Sequence, residues 1–286
     1  MLKINFYVCV SNFNSITLKC IKSIVNQTNH HKIIIHIIEN NIHSSVNKIM
    51  IKRLSQNNNI VFNFLMEKKI GIPYARNKCL EIIRNSKSDF SCFVDDDCEL
   101  PKYWLKNMLR CFDKTNSEII TGPQISKSNN IYEKVLEQKG KHLSTIAWAA
   151  TNNVFMQSNV VNKNNIKFDK DLKNLGGSDQ VFFSKLSRKG YNITWNEYSP
   201  VYENRNEKNS NFIWFIRRNI RYGSSSKILY SKIYGPLKAN ILVFFKFGFE
   251  FLKSLIYLFL IPLAVKKNTL YSAQYMTRAL ATLLSF

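Results

Sequence analysis

The sequence predicts an α/β fold: a mostly parallel, Rossmann-like sheet flanked by helices, followed by an amphipathic helical extension at the C-terminus. Short apolar runs alternate with segments of helical spacing, which is the pattern of repeated βα units. Several of these runs end abruptly in polar or acidic residues, as parallel strands do at a ligand-binding edge. A chain of 286 residues can bury one large domain plus an appendage, which we place at 1–204 and 205–286.

The first half of the chain supplies four predicted strands, at residues 4–10, 33–38, 60–65 and 90–94. Apolar side chains at helical spacing predict a helix at 15–27, and further helices begin near Pro73 and after Pro101. Past the acidic residues, the sequence predicts a short strand and turn at 119–123 and a strand at 191–195, which the motif at 200–203 follows. Gly190 is expected to end the helix that precedes the strand at 191–195.

Three adjacent carboxylates, Asp95, Asp96 and Asp97, follow the buried strand at 90–94. Because they repel one another, their proximity favours a cation at this place. If the strand stays extended, Asp95 and Asp97 point to one side and Asp96 to the other. Two oxygen ligands with open positions suit Mg²⁺ or Mn²⁺ holding a diphosphate. The alternative is that one aspartate caps the next helix and the others are solvated.

Glu39 also follows a predicted strand, so it should share one crevice with the acidic triplet. Arg76 falls in the first turn of the helix that begins near Pro73. The free N–H groups of that turn favour an anion, and a phosphate would satisfy both them and Arg76. The alternative is a surface arginine paired with a nearby acid.

Gly176 and Gly177 allow close backbone approach just before a predicted helix whose first turn contains Asp179. Asp179 is therefore expected to face the group that approaches the backbone at the two glycines. An aspartate at this place is, however, more often a helix cap than a catalytic base.

The net charge of +22 indicates an anionic partner, such as a nucleotide or a phospholipid. No RNA- or DNA-binding motif is visible, so nucleic acid is not expected. The six cysteines have neither Cys-x-x-Cys spacing nor histidine partners, which predicts reduced, structural thiols in a cytoplasmic protein. The N-terminus enters a strand at once and shows no signal-peptide layout.

The order of these motifs resembles the family 2 glycosyltransferases, whose catalytic domain has the GT-A fold, and within them the succinoglycan-type glucosyltransferases of bacterial surface-polysaccharide synthesis. The resemblance covers nearly all of residues 3–225. It rests on these residues: Ser23, Gln27 and Thr28; Gly71, Pro73, Ala75, Arg76 and Asn77; Phe93, Val94, Asp95, Asp96 and Asp97; Gly122 and Pro123; Thr151, Asn152 and Asn153; Gly176, Gly177, Ser178 and Asp179; Trp195; Val201, Tyr202 and Glu203; Arg218, Arg221 and Gly223.

The resemblance implies transfer of one sugar from a nucleotide-diphosphate sugar, with UDP-sugars favoured, and inversion at the anomeric carbon. It assigns the general base to Asp179, and contacts with the metal and the nucleotide sugar to Asp95 and Asp97. The remaining residues expected to contact nucleotide or diphosphate are Glu39, Arg76, Asp96, Arg218 and Arg221. Those expected to contact the donor or acceptor sugar are Asn152, Asn153, Gly176, Gly177 and Glu203.

Three features depart from the family's pattern. Glu39 stands where an aspartate is usual, and Ser178 replaces the glutamate that usually precedes the catalytic aspartate. The Gln-x-x-Arg-Trp motif of processive synthases is absent around Arg218 and Arg221, so we expect one sugar to be added per encounter.

Residues 240–265 are strongly apolar, yet Lys246, Glu250 and Lys253 interrupt them on one helical face. The uncharged part, 254–265, is too short to span a bilayer, and the region around it is basic: Arg205, Lys208, Arg217, Arg218, Arg221, Lys227, Lys232, Lys238, Lys266 and Lys267. We therefore predict a peripheral protein on the inner face of the cell membrane, near a saccharide or lipid-linked acceptor. The alternative is a helical pair packed on the catalytic domain.

Two other functions are considered. A nucleotidyltransferase that makes sugar nucleotides would need a Gly-rich loop with Arg and Lys after the first strand, where residues 11–14 have none. A non-catalytic basic module that binds membrane or nucleic acid is disfavoured by the presence of Asp95, Asp97 and Asp179.

Overall fold

A computed structural model of the protein describes residues 1–27, 31–46, 51, 54, 59–204 and 210–285. Thr28, which belongs to the family motifs, and Arg205 and Lys208, which belong to the basic region, lie outside these ranges. The chain forms two compact units. The first comprises residues 1–127, 138–174 and 178–204, and the second comprises 128–137, 175–177 and 205–286.

A seven-stranded, mostly parallel sheet forms the centre of the first unit, in the order β3-β2-β1-β4-β8-β6-β9. Its strands are β1 Lys3–Val10, β2 Lys32–Glu39, β3 Ile60–Met66, β4 Phe90–Asp95, β6 Ile119–Thr121, β8 Val154–Gln157 and β9 Ile193–Trp195. Only β8 runs antiparallel to its neighbours β4 and β6. The predicted α/β class and the mostly parallel sheet are confirmed.

A second, three-stranded sheet joins β5 Cys98–Glu99, β10 Val201–Glu203 and β7 Gln124–Ser126. β10 pairs antiparallel with β5, so that Glu203 lies opposite Cys98. This pairing brings Glu203 beside the acidic triplet, although more than 100 residues separate them in sequence.

Both faces of the large sheet are buried. Along β1, Phe6 and Val8 join one core cluster while Tyr7 joins the other. The helices of this unit are α1 Ser15–Val25, α2 Ile72–Asn85, α3 Trp104–Thr115, α5 Asn159–Asn162 and α6 Ser178–Arg188. As predicted, the last of these ends before Gly190, which has φ +94° and donates its N–H to the carbonyl of Ser187.

The second unit is helical. It contains α4 Ile131–Leu136, α7 Phe212–Ser224, α8 Ser226–Tyr234, α9 Pro236–Phe259 and α10 Val265–Leu283. A small apolar core of Val135, Phe215 and Leu270 ties α4, α7 and α10 together. Among the described residues, no helix is long and apolar enough to cross a membrane.

Candidate active site

The carboxyl ends of three adjacent strands meet at one edge of the sheet. In the strand register, Val10 pairs with Glu39 and Cys9 pairs with Asp95, so the two acids end the strands on either side of β1 at almost the same level. Both acids therefore lie at the edge of the sheet where the crevice is predicted.

The acidic triplet differs in one respect from the expectation. β4 ends at Asp95, and Asp96 and Asp97 form a turn that leads into β5. The assumption of an extended strand end is wrong, because the chain must reverse here to pair β5 with β10. Strand alternation therefore does not decide which way Asp96 and Asp97 point.

Arg76 is buried beside Asp95, the residue that precedes this turn. Its Nη2 lies 3.5 Å from Asp95 Oδ1, and its Nη1 donates to Ser178 Oγ at 3.4 Å. The guanidinium carbon also lies 5.8 Å from the centre of the Phe168 ring. Helix α2 is positioned for these contacts because Gly71 N donates to Asn40 Oδ1, 2.8 Å away at the end of β2.

Partial burial of Asp95 raises its pKa to about 6, although Arg76 acts in the opposite direction. The carboxylates of Asp97, Asp179 and Glu203 raise it further. Burial, followed by Asp95 and Asp97, raises the pKa of Asp96 to about 7. Five carboxylates thus act on one another at this edge, and Arg76 is the cation that offsets them at Asp95.

Such a site would be stabilised by a divalent cation. Among the described residues, no three His, Cys, Asp or Glu side chains form a cluster that could hold a metal by themselves. A Mg²⁺ or Mn²⁺ that binds a diphosphate needs only one or two carboxylates, because phosphate and water oxygens complete its shell. Asp95 and Asp97 fit that requirement.

Asp179 lies in the first turn of α6 and is half-buried. Its Oδ1 accepts a hydrogen bond from the backbone N–H of Gln180 at 2.9 Å. No hydrogen bond to its Oδ2 is found in the described part of the chain. The preceding residue, Ser178, accepts a hydrogen bond from Arg76. The sequence did not predict this role, because Ser178 stands out there only as the replacement of the family's usual glutamate.

Glu203 and Asn152 form a buried pair, in which Asn152 Nδ2 donates to Glu203 Oε1 at 2.8 Å. Within the described residues, the buried atoms Asn152 Oδ1 and Thr151 Oγ1 have no hydrogen-bond partner. Buried polar atoms are almost always satisfied, so this pair of atoms indicates a place for a ligand hydroxyl or amide. Thr151 was not predicted as a site residue, although it directly precedes two that were.

Asn153 is placed differently from Asn152. Its Oδ1 accepts from Trp104 Nε1 at 2.9 Å, and its Nδ2 donates to the carbonyls of Pro123 and Ser199. The side chain is fully enclosed, so its direct contact is with the protein and not with a ligand. The expected sugar contact at Asn153 is therefore corrected to a positioning role.

Glu39 is also engaged by the protein itself. Its carboxylate accepts hydrogen bonds from Ser44 Oγ at 2.7 Å and from both the N–H and the hydroxyl of Ser45. Burial acts to raise the pKa of Glu39, but these hydrogen bonds, together with one from the Val46 N–H, lower it overall. Glu39 holds the loop after β2, and a contact with the nucleotide stays a prediction.

Four of the predicted residues belong to the second unit. Gly176 and Gly177 have φ of +78° and +77°, which other residues rarely adopt. A Cβ on Gly177 would come within 2.9 Å of Leu229 Cδ2, and one on Gly176 would lie 4.0 Å from the guanidinium carbon of Arg221. The glycines therefore permit both the turn and a close approach of the chain.

Arg218 and Arg221 share one aromatic neighbour. The guanidinium carbons of Arg218, Arg221 and Arg278 lie 5.5, 5.9 and 5.1 Å from the centre of the Tyr222 ring. Arg218 Nε also donates to Tyr222 Oη at 3.0 Å. Cations gathered around one ring form a local positive site suited to an anionic group.

The sequence is similar to a known family and to one of its characterised relatives. Residues 7–182, more than half of the chain, match the family described as Glycosyl transferase family 2. A succinoglycan biosynthesis protein, ExoM of Rhizobium meliloti, is 26% identical over 177 residues. That match covers 59% of this chain and 56% of the relative, so the chain matches little more than half of that protein's length.

Two solved structures share the fold. The mannosyltransferase PcManGT from Pyrobaculum calidifontis, in complex with GDP-Man and Mn2+, has a TM-score of 0.63 at 11% identity and covers 99% of this chain and 86% of its own. Residues 1–349 of S. aureus TarS, in complex with UDP-GlcNAc, have a TM-score of 0.55 at 13% identity and cover 83% of this chain and 72% of their own. These likenesses confirm the GT-A fold. The match over residues 7–182 shows that the chain belongs to glycosyl transferase family 2, the family that its sequence motifs predicted.

Proposed function

We propose that the protein is an inverting, non-processive glycosyltransferase that moves one sugar from a nucleotide-diphosphate sugar to a hydroxyl of a saccharide acceptor in surface polysaccharide or lipopolysaccharide synthesis. The observation that carries this proposal is the cluster of Asp95, Arg76, Asp179 and Glu203 at the carboxyl edge of the sheet. The similarity to a succinoglycan biosynthesis protein supports the polysaccharide context.

In an inverting transfer, the acceptor oxygen attacks the anomeric carbon from the side opposite the departing diphosphate. The new carbon–oxygen bond forms as the bond to the diphosphate breaks, and the acceptor hydroxyl loses its proton. Asp179 takes that proton on Oδ2, because Oδ1 is held by the Gln180 N–H. The donated hydrogen bond fixes the orientation of the carboxylate, as a general base requires.

Asp95 and Asp97 hold a divalent cation in this proposal, and Asp96 supports them. The cation, when bound, stabilises the charge that develops on the leaving diphosphate. A nucleotide sugar and Mn2+ in the related mannosyltransferase support this assignment, and UDP-GlcNAc in the TarS complex supports a UDP-sugar as donor. Arg76 holds Asp95 in place, and its other nitrogen, directed to Ser178, joins α2 to the start of α6.

Asn152 and Glu203 contact the sugars, together with Thr151. Their buried hydrogen-bonding atoms, including Asn152 Oδ1 and Thr151 Oγ1, suit sugar hydroxyls, which both donate and accept. Gly176 and Gly177 admit a sugar close to the backbone in this proposal, and Glu39 shapes the loop beside the nucleotide.

Arg218 and Arg221 bind a diphosphate, either of the donor or of a lipid-linked acceptor. Their common neighbour Tyr222 holds both guanidinium groups on one part of α7. The excess of Lys and Arg over Asp and Glu, which gives the net charge of +22, supports attachment to an anionic membrane surface on the cytoplasmic side.

A panel of nucleotide sugars tests this proposal. Each donor is incubated with the full chain with and without EDTA, and release of nucleotide diphosphate is measured with and without saccharide acceptors. One donor should release nucleotide in a metal-dependent manner, and an acceptor should accelerate the release. Incorporation of nucleotide from a nucleoside triphosphate and a sugar phosphate would identify a nucleotidyltransferase. If none of the donors binds in a metal-dependent manner, the result would favour a non-catalytic module.

A further inference from the structure

Helix α9 has an apolar face that points away from the rest of its unit. Four phenylalanines distributed along it, Phe244, Phe245, Phe249 and Phe259, keep between 60% and 85% of their surface exposed. Leu263 and Val265, in and after the turn that follows, are exposed to a similar extent. Monomeric soluble proteins rarely expose so large a continuous apolar surface.

The opposite face of α9 packs inward, and beyond the buried Ala239 and Val243 of its first half it is polar. Lys246 Nζ lies 3.8 Å from Glu250 Oε1, and Lys246 also donates to the carbonyl of Tyr222 at 3.3 Å. Ser254, one turn beyond Glu250, is fully buried and donates to the carbonyl of Ser272 at 2.9 Å. These residues recur at every fourth position, so they form one stripe along the helix.

Polar contacts continue through the interior of this helical unit. Glu250 Oε2 accepts a hydrogen bond from Thr282 Oγ1 at 3.4 Å, and Arg278 Nε donates to the buried Asn219 Oδ1 at 2.7 Å. Helices α7, α9 and α10 are thus joined by polar side chains while α9 exposes phenylalanines. A helix in water has the opposite arrangement, with its apolar stripe inward. Polar contacts between helices that present apolar side chains outward are typical of helices surrounded by lipid.

The charges around this face indicate which kind of partner binds it. Glu250 is the only acid between residues 236 and 286, and it is buried. Lys238 lies near the start of α9, and Lys266 and Lys267 follow its end, all three of them exposed. A second copy of the chain would place lysines against lysines, whereas an anionic lipid surface complements them.

We propose that the outward face of α9, continued by Leu263 and Val265, lies in the headgroup and upper acyl region of an anionic leaflet, with the helix axis parallel to the membrane. A helix of 24 residues is about 36 Å long, so the contact extends along its whole length. This inference deepens the membrane attachment proposed above and rests on it for the class of partner, but it does not depend on the transfer chemistry.

Vesicle flotation tests the inference with the full chain. The vesicles contain phosphatidylcholine alone or phosphatidylcholine with 30% phosphatidylglycerol, and the protein should float with the second kind. The double variant Phe245→Ser, Phe249→Ser should weaken binding by more than about thirtyfold, because two phenylalanines lose their burial in lipid. A second variant, Phe259→Ser with Leu263→Ser, probes the far end of the same face.

The matched control is Tyr103→Ser, which removes an aromatic side chain of similar exposure from the first unit and should leave vesicle binding unchanged. Circular dichroism melts verify that every variant is folded. Wild-type protein that fails to float, or floats equally well after both double substitutions, would overturn the inference. So would a dimer in buffer that Phe245→Ser, Phe249→Ser dissociates without any vesicle binding.

Activity toward a soluble acceptor is measured in parallel. Vesicle binding without transfer from any donor would refute the proposed chemistry and leave the lipid contact standing. Transfer without vesicle binding would refute the lipid contact alone.

Discussion

Replacement of Arg76 by methionine tests the centre of the site directly. Methionine keeps the unbranched apolar part of the side chain but removes the guanidinium that lies 3.5 Å from Asp95 and 3.4 Å from Ser178 Oγ. Lys78→Met is the matched control, because Lys78 lies on the same helix and pairs with Glu81 at the surface, at 3.2 Å.

The expected loss of stability follows from the exposure of the two partners. The Arg76 side chain is 10% exposed and that of Asp95 is 38% exposed. Loss of one partner from a fully buried pair costs about 3–5 kcal/mol, and exposed pairs contribute at most about 1 kcal/mol. Without Arg76 the pKa of Asp95 rises further above about 6, so partial protonation of the carboxyl limits the cost. We expect Arg76→Met to lower the free energy of unfolding by about 1–2 kcal/mol and Lys78→Met by less than about 0.5 kcal/mol.

The assay is a double-mutant cycle with Asp95→Asn, measured by chemical denaturation in EDTA. Because asparagine needs no cation, the two substitutions should couple by about 1–2 kcal/mol. Arg76 can stabilise the Asp95 carboxylate or bind a phosphate of the donor. Donor affinity, measured by calorimetry in the Asp95→Asn background with metal present, separates these two roles. A further loss of about tenfold or more on adding Arg76→Met would indicate a phosphate contact.

A coupling free energy near zero would refute the reasoning, since it would mean that Arg76 does not stabilise the Asp95 carboxylate. Equal losses for Arg76→Met and Lys78→Met would lead to the same conclusion.

Three further predictions concern the acidic residues. Asp179→Asn should reduce turnover by about 10²–10⁴ and leave donor binding largely intact, and near-normal turnover would move the base elsewhere, with Glu203 the next candidate. Asp97→Ala should abolish the dependence of donor binding on Mg²⁺ or Mn²⁺, whereas unchanged donor affinity of the wild type in EDTA would exclude a metal-held donor. Burial and neighbouring carboxylates raise the pKa of Asp95 to about 6 and of Asp96 to about 7. In metal-free protein, these groups therefore contribute stability below the unfolded pKa of about 4 that is lost as the pH rises through 6 and 7. Melting curves should show wild type losing stability relative to Asp96→Asn between pH 5 and pH 8, and parallel pH profiles would contradict this.

The local pattern of the sequence determined the α/β class, most strand positions and the edge where the acids gather. Strands buried on both faces are continuous apolar runs, and their polar ends mark the carboxyl edge of a parallel sheet. The positive φ of Gly176 and Gly177 and the end of α6 before Gly190 are likewise local properties, because they depend on the conformational freedom of single residues. Family motifs then assigned roles to Asp95, Asp97 and Asp179.

Contacts between distant parts of the chain were decided only by the tertiary structure. The pairing of β10 with β5 breaks the extended path assumed for Asp96 and Asp97, and it brings Glu203 to the same site. Asn152 and Asn153 are adjacent in sequence, yet their surroundings differ. Asn152 donates from Nδ2 to Glu203, and its Oδ1 has no partner in the described ranges, whereas Asn153 is enclosed by Trp104 and Ser199. Neighbouring side chains can point into different surroundings, which no local pattern specifies.

The orientation of α9 shows the same limit. The spacing of Lys246 and Glu250 predicts that they share a helical face, and they do. Spacing cannot tell whether that face meets water or protein, because a helix has the same periodicity in both cases. The packing of α10 against α9 decided it, since Thr282 and Ser272 of α10 supply partners for the polar stripe and so turn the phenylalanines outward.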